Sequence, residues 1–332
     1  MTTRRFALAA ALALGAALPL AAAAQAAASA APAAFPARLV TLVVPFPPGG
    51  GTDTAGRVLA EQLGRRWGQP VVVENKGGAA GQIGADFVAK ARPDGYTLLL
   101  GNIGTQAINP TLYPKLPYDP DKAFAPVSLV AELPLAMMVH PAVPAKTAAE
   151  FVALAMARPG TMSYSSSGAG GAPHLAAEMF KDRTGAALVH VPYRGGGPAI
   201  ADLLAGHVQL SFMTVLEASA HVKAGKLRAL AVTSDRRVPA LPDVPTLAET
   251  VAPGFDAISW IGLLAPAGTP QPVVEKLAAD VRAVMDDEAV QARFAALGGV
   301  PRATAPAAFA KLIADDRARY AKIIRARNIT VE

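Results

Sequence analysis

The chain has 332 residues, of which 52% are hydrophobic and 17% charged, with a formal net charge of +6 and no cysteine. That length can supply two domains with cores of their own. The missing cysteines exclude disulfides and a lipoprotein thiol, and the mild positive excess, with no basic run or interleaved aromatics, gives no nucleic-acid signature.

Arg4 and Arg5 form a positive n-region, and an apolar stretch follows over residues 6–20. That stretch is shorter than the ~20 residues a membrane span needs. Small-x-small patterns at Ala24-Gln25-Ala26 and Ala28-Ser29-Ala30 fit a cleavage site. Residues 1–30 are expected to be a signal peptide, cleaved near 26 or 30, and the mature protein to be periplasmic. Twin-arginine export is hinted at by Arg4-Arg5, although Ala7 stands where a larger apolar residue is usual.

Beyond the leader, β-type and helix-type segments alternate, which predicts an α/β fold with mainly parallel sheets. Residues 39–46 are a β-branched apolar run that stops at Pro47-Pro48-Gly49-Gly50-Gly51. A helix capped by Thr52 or Asp53 follows, with Val58, Leu59 and Leu63 at helical spacing. Next come a strand from Val71, a loop with Gly77, Gly78 and Gly81, a helix through Ile83 and Phe87, and a strand over 96–100. The same plan recurs over residues 162–213, with loops at 165–171 and 195–197. Gly50 and Gly77 are 27 residues apart, as are Gly168 and Gly195, an architectural likeness with little side-chain identity.

Between the two units, residues 126–131 and 135–140 read as separate strands. The strand 258–264 and amphipathic helices over 273–297 and 306–326 return to the first unit. Two crossings make a hinge and so a clamshell, with lobe 1 formed by residues 31–134 and 256–332 and lobe 2 by 135–255.

Each small-residue loop leaves a strand and opens a helix, whose first-turn N–H groups and dipole suit an anion without a basic side chain. Ordinary βα turns look the same, but four in matched positions point to binding. Enzyme readings fit less well. No loop ends in the Lys-Ser/Thr of a P-loop, and Thr54 replaces the third glycine of a dinucleotide fingerprint. Ser165, Ser166 and Ser167 lack the Gly-x-Ser-x-Gly elbow of a serine hydrolase. The five histidines are scattered without metal-ligand spacing. His174 is expected in the first turn of its helix, lining the cleft or packing structurally. No cofactor and no metal site are expected.

A set of motifs adds to this reading: Val44-Pro45-Phe46 with Gly49-Gly50-Gly51-Thr52-Asp53 and Arg57, Asn75-Lys76-Gly77-Gly78 with Gly81, and Pro93-Asp94-Gly95-Tyr96. It continues with Leu116-Pro117-Tyr118-Asp119-Pro120, Ser166-Ser167-Gly168 with His174, Val191-Pro192-Tyr193-Arg194, Leu241-Pro242-Asp243-Val244-Pro245-Thr246 and Ala265-Pro266-Ala267-Gly268-Thr269-Pro270. In order and spacing it resembles the tripartite tricarboxylate transporter receptor family, the Bug proteins, over nearly the whole mature chain. Departures are Gly56, where Ala is usual, and Met213-Thr214, where acidic or amide residues are frequent.

The resemblance implies a two-lobed Venus-flytrap fold of the periplasmic-binding type, type II-like, that captures a small organic carboxylate and performs no catalysis. It implies a pincer of backbone amides and bridging waters, with Phe46, Gly50, Thr52 and Asp53 on one jaw and Ser165, Ser166 and Gly168 on the other. Gly78, Ala80, Gly81, Asn102, Tyr193, Arg194 and Gly195 would complete the cleft. Within that set, Asp53 reads as a group that caps and orients its loop, and Arg194 either pairs with a carboxylate or is solvated. Tyr193 and Trp260 are candidate apolar walls or simple core residues. The expected partners are transporter subunits in the membrane or a sensor kinase, and the expected state is a monomer. The alternative from another class is a secreted hydrolase using Ser165–Ser167.

Overall fold

In the computed structural model the described residues are 35–326 and 328–330; the signal-peptide reading of residues 1–30 lies outside them. Val-rich β1 (Val40–Val44) pairs in parallel with both β2 (Val71–Asn75) and β3 (Thr97–Asn102). Parallel neighbours need crossovers, supplied by α1 (Gly51–Trp67) and α2 (Gln82–Ala89). After β3 a π-helical turn, Gly104–Ile108, runs into α3 (Asn109–Leu112). The 16-residue strand β4 (Phe124–Val139) and α4 (Ala148–Ala157) come next.

The plan then recurs with β5 (Met162–Ser166), α5 (Ala172–Thr184), β6 (Leu188–Pro192), α6 (Gly196–Leu204) and β7 (Leu210–Thr214). Here β5 is parallel to β6 and β7. The order continues with α7 (Val215–Lys223), β8 (Arg228–Val232), α8 (Leu247–Thr250) and β9 (Ile258–Pro266). It ends with α9 (Gln271–Met285), α10 (Glu288–Leu297), β10 (Val300–Pro301) and α11 (Pro306–Ala326).

The two strands expected at 126–131 and 135–140 are one. Residues 124–134 of β4 pair antiparallel with β9, and residues 135–139 pair antiparallel with β7 and β8. The partners change between Pro134 and Leu135, so β4 belongs to both halves of the sheet. Its strand order is β2-β1-β3-β9-β4-β7-β5-β6, with β8 and β10 also on β4. The wings are parallel and the centre antiparallel.

The helix expected over 273–297 is also two elements. Asp287 breaks it by accepting the amides of Ala289 (2.9 Å) and Val290 (3.1 Å) as the N-cap of α10.

The core runs through both halves, from Leu99 and Leu129 to Met137, Phe180 and Phe212. Each large apolar side chain buried there contributes about 1.5–3 kcal/mol. Trp260 belongs to this core and not to a cleft wall. Its Nε1 donates to Asp316 Oδ2 at 2.7 Å, and its ring meets Phe309 of α11 edge-on with centroids 5.4 Å apart. Among the described residues no helix is long and apolar enough to cross a membrane.

Candidate functional site

The loop that leaves β1 is stopped by Pro45, Pro47 and Pro48 and turns into α1 through Gly49 and Gly50. Asp53 holds it from behind. Its Oδ2 accepts the Gly49 amide and Arg57 Nε, both at 3.0 Å, and its Oδ1 accepts the Arg57 guanidinium (3.0 Å) and Asn75 Nδ2 (2.9 Å). Asn75 also donates to Phe46 O at 3.0 Å, which ties the first loop to the end of β2. Burial alone would raise the Asp53 pKa, but the hydrogen bonds from Arg57, Gly49 and Asn75 outweigh it and hold the carboxyl below its ordinary value.

Beyond β2, two consecutive alanines adopt left-handed backbone, Ala79 at φ 46° and Ala80 at φ 52°. An L-residue with a Cβ pays about 1–2 kcal/mol for that conformation. Asn109 Nδ2 donates to Ala80 O at 3.0 Å and so fixes the turn. Asn102, at the end of β3, accepts the Thr105 amide at 3.0 Å through Oδ1.

Across from these loops stand the ends of β5 and β6. Ser165 and Ser166 are fully buried. Ser165 Oγ donates to Ala199 O (3.4 Å), and Ser166 Oγ contacts His190 Nε2 (2.7 Å) and Gly168 O (3.1 Å). His174 packs inside, accepting the Gly170 amide on Nδ1 at 3.0 Å and stacking on His190 with centroids 4.0 Å apart. Tyr193 donates to Asp202, and Arg194 is exposed on the surface.

Between the two sets of loops lies a cavity of about 50 Å3. Its wall includes the first turns of α1 (Gly51, Thr52), α5 (Ala172, Pro173) and α6 (Gly196), with Phe46, Gly50, Ala80, Asn102 and Gly168. A second cavity of about 340 Å3 adjoins it, sharing Phe46, Ala80, Ser167 and Gly168 and adding Gly78, Gly81, Tyr193 and Arg194.

Ten of the expected residues thus line one cavity or the other: Phe46, Gly50, Thr52, Gly78, Ala80, Gly81, Asn102, Gly168, Tyr193 and Arg194. Five lie behind the wall. Asp53 anchors its loop. Ser165 turns towards α6 and Ser166 towards His190 on β6, and His174 is spent on the Gly170 amide and the ring stack. Gly195 sits beneath Pro47, where an added Cβ would come within 2.9 Å of Pro47 Cδ.

The sequence reading missed Leu133 on β4, Asn109, Ser259 on β9, Thr214 and Glu217. Glu217 Oε1 accepts the Gly51 amide at 2.8 Å, and its Oε2 accepts Thr214 N (3.1 Å) and Thr214 Oγ1 (2.8 Å). Thr214 caps α7 in return through the Glu217 amide (3.2 Å), a capping box. Burial pushes the Glu217 pKa up, and the hydrogen bonds from Gly51 and Thr214 offset only part of that. No Arg, Lys or His lines the smaller cavity among the described residues, and Glu217 is its ionisable side chain. No group of His, Cys, Asp or Glu among the described residues is placed to hold a metal ion.

The sequence profile of the tripartite tricarboxylate transporter family receptor matches residues 55–329. Protein BugT of Bordetella pertussis is 39% identical over 292 residues, covering 88% of this chain and 90% of the relative. Among solved structures, an R. palustris protein with adipate is 35% identical with a TM-score of 0.87, covering 89% of this chain and 99% of the other. MatC from Rhodopseudomonas palustris with bound malate is also 35% identical, with a TM-score of 0.82 and coverage of 87% and 100%.

Proposed function

The chain belongs to the tripartite tricarboxylate transporter receptor family, and on that footing we propose that it captures a small organic carboxylate between two lobes and delivers it to membrane transporter subunits. The observation that carries this reading is the wall of the smaller cavity, where the first turns of α1 and α5 meet across the cleft with no basic side chain between them. Of these, the first turn of α5 with its helix dipole suits a carboxylate, while Glu217 takes the Gly51 amide of α1. The adipate and malate held by two relatives of the same fold support the ligand class.

Among the described residues the lobes are 38–134 with 256–326, and 135–255, closing about β4. The change of strand partners between Pro134 and Leu135 supports that division. The leader pattern over residues 1–30 supports delivery to the periplasm. The protein works by closure, without covalent chemistry. Ser166, although 2.7 Å from His190, is fully buried behind the wall, where its Oγ cannot reach a substrate in the cleft.

The test is a thermal melt of the leaderless protein, refolded to strip carried-over ligand, against succinate, malate, glutarate and adipate. A ligand at 100 times its Kd adds about 2.7 kcal/mol, a shift of several degrees. Absence of a shift with every carboxylate, the amino acids named below included, would overturn the assignment.

A further inference from the structure

The N-terminus of α1 already holds a carboxylate. Glu217 reaches it from α7, 166 residues further along the chain, and takes the Gly51 amide at 2.8 Å. The placement is built into the backbone around it. A Cβ on Gly196 would collide with Glu217 Oε1, and one on Gly50 would lie 3.2 Å from the same oxygen. The glycines at these two positions therefore leave room for the protein's own acid, at the meeting point of α1 and α6.

That acid has no counter-charge. The wall of the smaller cavity carries no Arg, Lys or His among the described residues, and the partners of Glu217 there are an amide and the Thr214 cap. A second acceptor stands in the same wall. Asn109 is 1% exposed, its Nδ2 is committed to Ala80 O, and its Oδ1 has no hydrogen-bond partner. An unpaired buried acceptor is destabilising until a donor arrives. Glu217 thus stands at the end of the cleft formed by Gly50, Gly51 and Gly196, and the Ser167–Ala172 loop that opens α5 forms another part of the wall.

Resting on the carboxylate reading above, we infer that Glu217 determines which carboxylates the cleft accepts: the ligand presents its carboxylate to the α5 end and an ammonium group to Glu217. An ammonium supplies the missing counter-charge and donates up to three hydrogen bonds. A second carboxylate at that end meets a like charge in a poorly hydrated space.

The experiment uses matched pairs that differ only at the far end: β-alanine with succinate, 4-aminobutyrate with glutarate, and 5-aminovalerate with adipate. Binding is measured by calorimetry on the refolded leaderless protein and on Glu217→Gln, whose amide keeps an acceptor for Gly51. The wild type is expected to prefer the amino member of at least one pair by ~10-fold or more, and Glu217→Gln to abolish or reverse that preference. A wild type that binds the dicarboxylates as tightly as the amino acids, or tighter, overturns the inference and leaves the carboxylate reading standing. Binding of no member of any pair overturns both. If Glu217→Gln does not fold, the wild-type ratio alone decides.

Discussion

Ser166 Oγ lies 2.7 Å from His190 Nε2, and the ring of His190 lies nearly parallel to that of His174, 5° apart in plane. The contact looks like a nucleophile and its base, but burial makes both rings weak bases. Burial lowers His174 to about 4, and burial together with the neighbouring His174 lowers His190 to about 3. The unfolded chain takes up these protons near pH 6.5, while the native state does not until the pH falls through those lower values. Stability conferred by the pair is therefore present above pH 6.5 and is lost on acidification towards pH 4 and 3. Denaturant melts at pH 7.5 and 5 should differ by about 2 kcal/mol for His174 alone, less for the half-buried His190. In His190→Asn the difference should shrink; an unchanged pH slope would mean that His190 is protonated in the native state.

Asp53 predicts a second effect, on stability and binding together. Removing its charge in Asp53→Asn leaves the Arg57 guanidinium and the Gly49 amide without their shared anion. Because Arg57 is half exposed, water recovers part of the loss, and a cost of about 2 kcal/mol is expected. Ligand affinity should fall with it, since Gly49 fixes the loop that presents Gly50 to Thr52. A variant as stable as the wild type, or one that loses stability with affinity intact, would separate the anchor from the cleft.

Ala80 carries a prediction of the opposite sign. Its φ of 52° is costly for alanine and free for glycine, by about 1–2 kcal/mol, against about 0.5–1 kcal/mol for glycine's extra unfolded entropy. Ala80→Gly should therefore melt at or above the wild-type temperature. A lower melting point would mean that its methyl group, in the wall shared by both cavities, packs for more than the strain costs.

Some of this was plain in the sequence for physical reasons. A valine run closed by prolines and glycines specifies β1, its loop and the start of α1 with local chemistry alone, and the second unit repeats the device. Pro134 lies in the gap between the strands expected at 126–131 and 135–140; in the structure it falls where β4 changes partners, a property of the tertiary sheet. The capping box Thr214-x-x-Glu217 is a local signal. Its acid, however, reaches Gly51 across 166 residues, and no local pattern reports such a contact. The resemblance puts Ser165 and Ser166 in the cleft; as the last residues of β5 they are instead bonded inside, to Ala199 O and His190.

Gly196 offers the sharpest check on that long-range contact. It sits at the first position of α6, where alanine is ordinarily the better helix former by about 1 kcal/mol. With Glu217 in place, the new methyl group collides with Oε1, and the carboxylate must leave the Gly51 amide, a charged hydrogen bond worth about 1.5–3 kcal/mol. Gly196→Ala should thus destabilise the wild type. In a Glu217→Ala background the obstacle is gone, and the same substitution should be neutral or stabilising. Melts of the four proteins give the coupling directly, expected at about 1 kcal/mol or more. Additive effects would place the Glu217 carboxylate away from both glycines, and its role at the neck of the cleft would fall with them.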